Sequence, residues 1–295
     1  MKVLVVGGTG LLGGHAAIHL REHGFEVSLA SRSAPQAPIL REFPFFTLDY
    51  IQDGPDVAML EGFDALLFCA GHDIRHIDRD SPADKQWHQN NTVAIPRFFA
   101  AARDAGIRRA VMLGSFYPQA APALIDTNPY VLSRHLSDEG VRALSSPTFE
   151  VMSVNAPFMI GHVPGLPNAM FEAYTRYAQG RMPGVPVFGP KGGTHFMSTR
   201  SLSEALHQAL INGVPGKAYL VGDENIRFAD LFGLFFEAVG NPQEVPELDQ
   251  EHPLLPDSAL FTGRGNYLCY EADDSLGYRR NDVRAAVAEL VQHYL

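Results

Sequence analysis

Three glycines at the end of an apolar run are the residues here whose type and spacing point most directly to chemistry. In Val3-Leu4-Val5-Val6-Gly7-Gly8-Thr9-Gly10-Leu11-Leu12-Gly13 a β-branched run reads as a buried strand, and a helical pattern begins at Leu11. Gly7 lets the chain turn off the strand, Gly10 lets backbone come close to a pyrophosphate, and Gly13 lets the helix pack tightly on the sheet. Free N–H groups and the positive dipole end at the helix start then face the anion. The stretch is a phosphate cradle, spaced GxxGxxG rather than GxGxxG.

The residues after the second strand choose between dinucleotides. A free ribose 2′-hydroxyl is usually held there by Asp or Glu, and this chain has Ala30, Ser31, Arg32 and Ser33 instead. Arg32 and the adjacent hydroxyls suit a 2′-phosphate, so NADP is expected over NAD. His15, His19 and His23 recur at i, i+4 and i+8 on one helix face, a spacing that invites a metal. A zinc site needs a further ligand and an oriented outer shell, and the sequence offers no HExxH or CxxC, so the three read as solvated or packing histidines and no metal is assigned.

Positioning these residues takes a series of alternating strands and helices. Helix 11–23 stops at Gly24, and strand 25–30 completes a βαβ start. Strand 44–48 ends at Asp49 and Tyr50, and strand 65–70 ends at Gly71 and His72. In a doubly wound sheet the strand carboxyl ends open on the ligand crevice, so Asp49 is placed to meet an adenine amino group, or to serve only as a turn residue, while Ala70-Gly71 passes beside the cofactor. Helix 91–105 leads to strand 109–114 and delivers Ser115. Asn128 as N-cap and Pro129 as first helical residue open a helix to about Leu144, with Tyr130 and Arg134 on one face. Strand 149–154 follows, and then the prolines and glycines of 161–193 break the alternation. Helix 201–211 and strand 218–221 read as a return to the sheet. The fold class is α/β, a doubly wound parallel (Rossmann) sheet with a smaller C-terminal substrate lobe. Residues 1–160 form the dinucleotide-binding domain, completed by about 196–222, and 161–195 with 223–295 form the lobe.

Composition bounds the partners. A formal net charge of −10, with no basic run, argues against nucleic acid and an anionic membrane. Cys69 and Cys269 form no disulfide framework, no apolar run is long enough to span a bilayer, and a strand starting at Lys2 leaves no room for a signal peptide, so a cytoplasmic protein is expected. His72, Asp73 and His76 follow a strand end, and His162 and His195 flank the inserted segment, so these are cleft candidates. Phe228, Phe232, Phe235 and Phe236 have helical spacing and read as core. Trp87 has no assignment.

The ordered set of the glycine stretch, Asp49, Ala70-Gly71, Asn91, Ser115 and Tyr130 resembles the extended short-chain dehydrogenase/reductase family, also called the NAD-dependent epimerase/dehydratase family, over nearly the whole chain. The segment from Val154 through Asn155 and Pro157 to Gly161 is loosely similar to the dihydroflavonol reductase and hydroxysteroid dehydrogenase branch. The resemblance implies cofactor contacts at Gly7, Thr9, Gly10, Leu11, Leu12, Gly13, Arg32, Asp49, Tyr50, Ala70, Gly71 and Asn91. It adds Ser115, Tyr130, Arg134, Asn155 and Pro157, and it allows for a homodimer. It further implies a catalytic set in which a serine holds the substrate oxygen and a tyrosine exchanges a proton with it. A lysine one helical turn on then binds the nicotinamide ribose and lowers the tyrosine pKa. Here these positions are Ser115, Tyr130 and Arg134, so the lysine is an arginine: the charge is kept and the compact ammonium is not.

The leading functional expectation is an NADP-dependent oxidoreductase that moves hydride between nicotinamide and a carbonyl or secondary alcohol of a small organic molecule. Asn91 would orient the helix or a water. One alternative is a nucleotide-sugar epimerase or dehydratase, which needs a diphosphate clamp for which Arg176, Arg181 and Lys191 are available. Another is a cofactor-binding sensor without turnover, which the arginine favours.

Overall fold

In the computed structural model, which describes residues 1–52, 57–78 and 80–295, the alternation runs β1 (Lys2–Val6), α1 (Leu11–Glu22), β2 (Glu26–Ser31), β3 (Phe45–Thr47), α2 (Val57–Leu60) and β4 (Ala65–Phe68). After α3 (Ala83–Trp87) a π-helical stretch, His88–Val93, leads into α4 (Ala94–Asp104), β5 (Arg109–Ser115), α5 (Tyr117–Ala120), α6 (Pro129–Arg142) and β6 (Glu150–Ala156). The helix expected from Asn91 thus starts as a wide π turn, and Asn91 lies inside it. Next come β7 (Phe158–Ile160), α7 (Ala169–Ala178), β8 (Gly189–Pro190), β9 (Gly193–Ser198), α8 (Thr199–Asn212) and β10 (Ala218–Leu220). The chain ends with β11 (Glu224–Arg227), α9 (Phe228–Ala238), β12 (Glu247–Leu248) and α10 (Val283–Gln292).

Seven strands form one parallel sheet in the order β10-β6-β5-β4-β1-β2-β3. The chain winds outward from β1 through β2 to β3, then returns to β4 and winds the other way, so the switch point lies between β1 and β4. Ligands of such sheets sit outside the carboxyl ends of the strands at that point. The central strands are apolar on both faces, as a doubly covered sheet requires. Val3, Val5, Leu29, Leu67 and Val111 pack under α1 and α8, whereas Leu4, Val6, Leu66, Phe68 and Met112 pack under α4, where Phe98 and Phe99 are fully buried.

A third core lies outside this sandwich. Phe171 and Tyr174 of α7, Phe232, Phe235 and Phe236 of α9, and Leu290 of α10 close on one another beside the three-stranded sheet β11-β9-β7. The segment 161–193, read from its prolines and glycines as a break in the pattern, therefore holds α7, capped by the Asn168 side chain on the Phe171 amide. Among the described residues no helix is long and apolar enough to cross a membrane.

Asn128 caps α6 and fixes where Tyr130 enters the helix: its Oδ1 accepts from the amides of Tyr130 at 3.0 Å and Val131 at 3.2 Å. Asn128→Ala leaves both donors without that acceptor and is expected to destabilise the protein by about 1 kcal/mol. Urea denaturation checks this, with a lower midpoint and an unchanged slope.

Candidate functional site

The turn from β1 into α1 is closed to side chains on two sides and open on a third. Gly7 has φ +80°, and a Cβ there would lie 2.8 Å from the Ala70 amide nitrogen; at Gly13 it would lie 2.4 Å from the Gly7 carbonyl oxygen. Gly10 is different, since a Cβ would meet nothing nearer than the Gly7 oxygen at 3.5 Å. The loop is thus packed where it meets protein and clear where a ligand would approach. Gly10 caps α1 without a side-chain acceptor, and no acidic residue occupies the first turn. The amides of Leu11, Leu12 and Gly13 precede the first intrahelical donor and remain directed at this opening. Ser31, at the end of β2, accepts at Oγ from the Thr9 amide at 3.3 Å and ties the two loops together. Arg32 follows it, exposed.

Arg134 reaches from α6 to the strand ends. Its Nη2 donates to the Leu113 carbonyl at 3.0 Å, its Nη1 lies where a Cβ on Gly71 would fall, and its Nε is buried without a partner. The guanidinium is thus anchored on the sheet edge through one arm of its planar fork, with a second arm against Gly71. Tyr50 lies close by. Burial pushes its phenol up to about 12, against the opposing pull of Arg134 and Arg32. Asp49 accepts at Oδ1 from the Ile51 and Gln52 amides, so that oxygen serves the turn.

Asn91 acts on the loop behind Gly71. Fully buried, it accepts at Oδ1 from the His72 amide and donates through Nδ2 to the His72 carbonyl and to Ser133 Oγ. Both of its N–H groups are committed, so Asn91 bolts the β4 loop to α6 and does not offer a donor to a ligand. Asn155 lies across the neighbouring strand end, with Nδ2 donating to Gln119 Oε1 at 2.7 Å and Oδ1 filling the place of a Cβ on Gly114. Pro157 is buried just beyond β6.

Ser115 ends β5, half-buried and in register with Ala156. Tyr130, half-buried in the first turn of α6, stands among aromatic rings: Trp87 at 5.5 Å and Phe261 at 5.1 Å, with Tyr117 5.3 Å from Phe261. Trp87, unassigned from sequence, and Phe261, from a loop about 130 residues away, thus belong to the same wall. Nothing local in either segment signals this. The arginines and lysine available for a diphosphate, Arg176, Arg181 and Lys191, are all exposed.

His195 extends the wall. It is 1% exposed, stacks on Tyr270 at 4.1 Å, and pairs Nδ1 with Asn225 Oδ1 at 2.9 Å. The Tyr270 amide and carbonyl fix the Asn225 amide so that Oδ1 is an acceptor, and His195 Nδ1 therefore carries the proton. The lone pair of Nε2 is left buried, without a partner, facing Gly222 just past β10. Burial holds this imidazole down to about 4 and so neutral at pH 7. Nearby Asp223, bonded to the Ser198 amide and the Ser201 hydroxyl, is raised to about 6, again chiefly by burial. Of the other cleft candidates, His76 pairs with Asp73, and His162 lies 5.2 Å from the His293 ring.

A family model described as the NAD dependent epimerase/dehydratase family matches residues 3–222. Among curated proteins, the chain is 25% identical over 223 residues to UDP-glucose 4-epimerase 3 of rice, Oryza sativa subsp. japonica, a match over 64% of this chain and 59% of that one. It is 22% identical over 259 residues to a putative dihydroflavonol 4-reductase of Synechocystis, over 81% of this chain and 72% of the relative. Among solved structures, the Bordetella bronchiseptica enzyme WbmF in complex with NAD+ superposes with a TM-score of 0.74 at 17% identity, covering 99% of this chain and 92% of that one.

Four buried or half-buried histidines set an acid limit. His15, His19, His195 and His252 are each held down to about 4 by burial, so between about 4 and 6.5 the unfolded chain binds more protons than the folded one. Their contribution to stability is complete above pH 6.5 and is lost as pH falls toward 4. Asp223 runs the other way: its raised value makes its contribution largest below about 3.8 and lost as pH rises through about 6. Histidines outnumber it, so urea midpoints are expected to fall from pH 7 to pH 5, and His195→Gln is expected to make that fall shallower.

Proposed function

Because the chain belongs to the NAD-dependent epimerase/dehydratase family, matched over residues 3–222, we propose that it is an NADP-dependent oxidoreductase acting on a carbonyl or secondary alcohol of a small, largely apolar organic molecule. The observation that carries this reading is the wall around Tyr130: Trp87 and Phe261 pack against its ring, and Tyr117 packs in turn against Phe261. Rings of this kind bury an apolar substrate and exclude water from its oxygen.

The residues fit a nicotinamide dinucleotide. Its pyrophosphate has the opening at Gly10 and the amides of Leu11 and Leu12, and its ribose has Arg134, whose Nη1 lies beside Gly71 and whose Nε has no partner. Arg32, with no carboxylate at the end of β2, supplies charge for a 2′-phosphate. When bound, the cofactor supplies hydride exchange at the nicotinamide ring. Ser115 then holds the substrate oxygen, and Tyr130 gives a proton to it in reduction or takes one in oxidation. Arg134, fixed on the Leu113 carbonyl, holds the ribose and keeps a positive charge one helical turn from Tyr130.

A second reading, epimerisation of a nucleotide sugar, is favoured by the likeness to UDP-glucose 4-epimerases. It is disfavoured by the exposed, dispersed positions of Arg176, Arg181 and Lys191.

NADPH consumption with a panel of aromatic aldehydes and ketones tests the proposal, and conversion of UDP-glucose without net NADPH consumption would replace it with the second reading. Tyr130→Phe is expected to lower turnover by about 100-fold or more while NADPH affinity changes little. Arg32→Ala should weaken NADPH roughly tenfold, the equivalent of a charge-assisted hydrogen bond of about 1.5 kcal/mol, and leave NADH binding unchanged. Fluorescence titration reads both affinities.

A further inference from the structure

Three histidines meet away from the cleft. His19 lies in α1, His23 follows its last turn, and His207 reaches them from α8, the helix packed alongside on the same face of the sheet. One ligand atom from each of the three lies within 4.8 Å of the other two, and His19 Nε2 is 3.1 Å from His207 Nδ1. A tetrahedral zinc bound at its usual distance separates its nitrogen ligands by about 3.4 Å, so small ring rotations bring all three onto one ion. The spacing of His19 and His23 alone gave no third ligand; the fold supplies it from 184 residues further along the chain.

The surroundings suit a metal. His23 Nδ1 donates to the His19 carbonyl at 2.7 Å, which fixes the proton on Nδ1 and leaves Nε2 as the lone pair. Ligating histidines are typically oriented by a backbone carbonyl in this way. His19 Nε2 and His207 Nδ1 already face each other as a hydrogen-bonded pair, so a metal ion would take the place of the proton they share. The trio borders a surface recess of about 570 Å³ that Glu22 and Glu204 also line, which leaves room for water at a fourth coordination position. The recess is separate from the phosphate cradle. At the rise of an α-helix, His19 and His23 lie about 12 and 18 Å along α1 from Leu11.

We propose that His19, His23 and His207 form a binding site for a divalent transition-metal ion of the zinc type, which clips α1 to α8. An all-imidazole set selects Zn2+, Ni2+ or Cu2+ over Mg2+ and Ca2+, which favour oxygen ligands.

Calorimetric titration of tag-free, metal-stripped protein with zinc chloride near neutral pH tests the proposal. The expected result is one zinc per chain at micromolar affinity or better, no competition from excess Mg2+, and a rise in melting temperature of roughly 5 °C with zinc well above its dissociation constant. Bound Co2+ should show the intense visible bands of a four-coordinate site. His207→Ala and His23→Gln should each weaken zinc at least tenfold and remove those bands, while His135→Gln, on α6, should change neither. If either site variant fails to fold, ring-nitrogen resonances of the unmodified protein decide: zinc must shift those of three histidines, and assignment must place them at 19, 23 and 207. Absence of zinc binding at micromolar concentrations, zinc affinity unchanged in both site variants, or shifts at other histidines would overturn the proposal.

Discussion

Where α1 meets the end of β1 there is no room for a side chain. The Gly13 carbon sits against the Gly7 carbonyl, and Gly7, at φ +80°, sits against the Ala70 amide of the neighbouring strand end. This approach sets the height of α1 over the sheet, and much else follows from it. It lets Ala16, Ala17 and Leu20 pack directly on Val3, Val5 and Leu29, brings α8 in beside α1, and leaves the first-turn amides aimed at the switch point between β1 and β4. Gly10 alone among the three is left clear, which is the side a phosphate would take.

A second constraint orders the opposite wall. The loop after β4 has to hold Gly71 against Arg134 while its own backbone groups are buried, and it is satisfied by a side chain rather than by sheet. Asn91, carried inward by the π turn His88–Val93, pairs with both backbone groups of His72 and with Ser133 of α6. The same helix holds Tyr130 through its Asn128 cap and Arg134 through the Leu113 carbonyl. One buried polar network therefore sets α6, the β4 loop and the β5 end relative to one another, and in such a network each unsatisfied member is costly. Arginine in place of lysine is consistent with this arrangement, because its fork can reach Leu113 and Gly71 at once.

Features whose cause is local were legible in the sequence. Alternation and apolar runs placed the strands of the sheet, the glycine spacing placed the cradle, and Asn128-Pro129 placed the start of α6 to the residue. Features whose cause is a distant contact were not. Trp87 and Phe261 meet Tyr130 from opposite parts of the chain, His195 acquires its orphaned nitrogen only when Tyr270 covers it, and His207 joins His19 and His23 only because α8 packs on α1. The helix α7 was hidden for another reason. Its Asn168 cap and its buried Phe171, Tyr174 and Ala178 carry the usual signal, but flanking prolines and glycines masked it. Asn91 was read both as near the cofactor and as orienting the helix; its donors go to the His72 carbonyl and to Ser133 of α6, which fits the second reading.

A crystal structure with NADPH bound is the most direct test of how the cradle, α6 and the aromatic wall work together. The pyrophosphate is expected on the amides at the start of α1, the 2′-phosphate against Arg32, the nicotinamide ribose within hydrogen-bond distance of Arg134, and the Tyr130 hydroxyl beside the nicotinamide ring. A nicotinamide lying away from Tyr130, or a ribose that Arg134 does not reach, would contradict this arrangement.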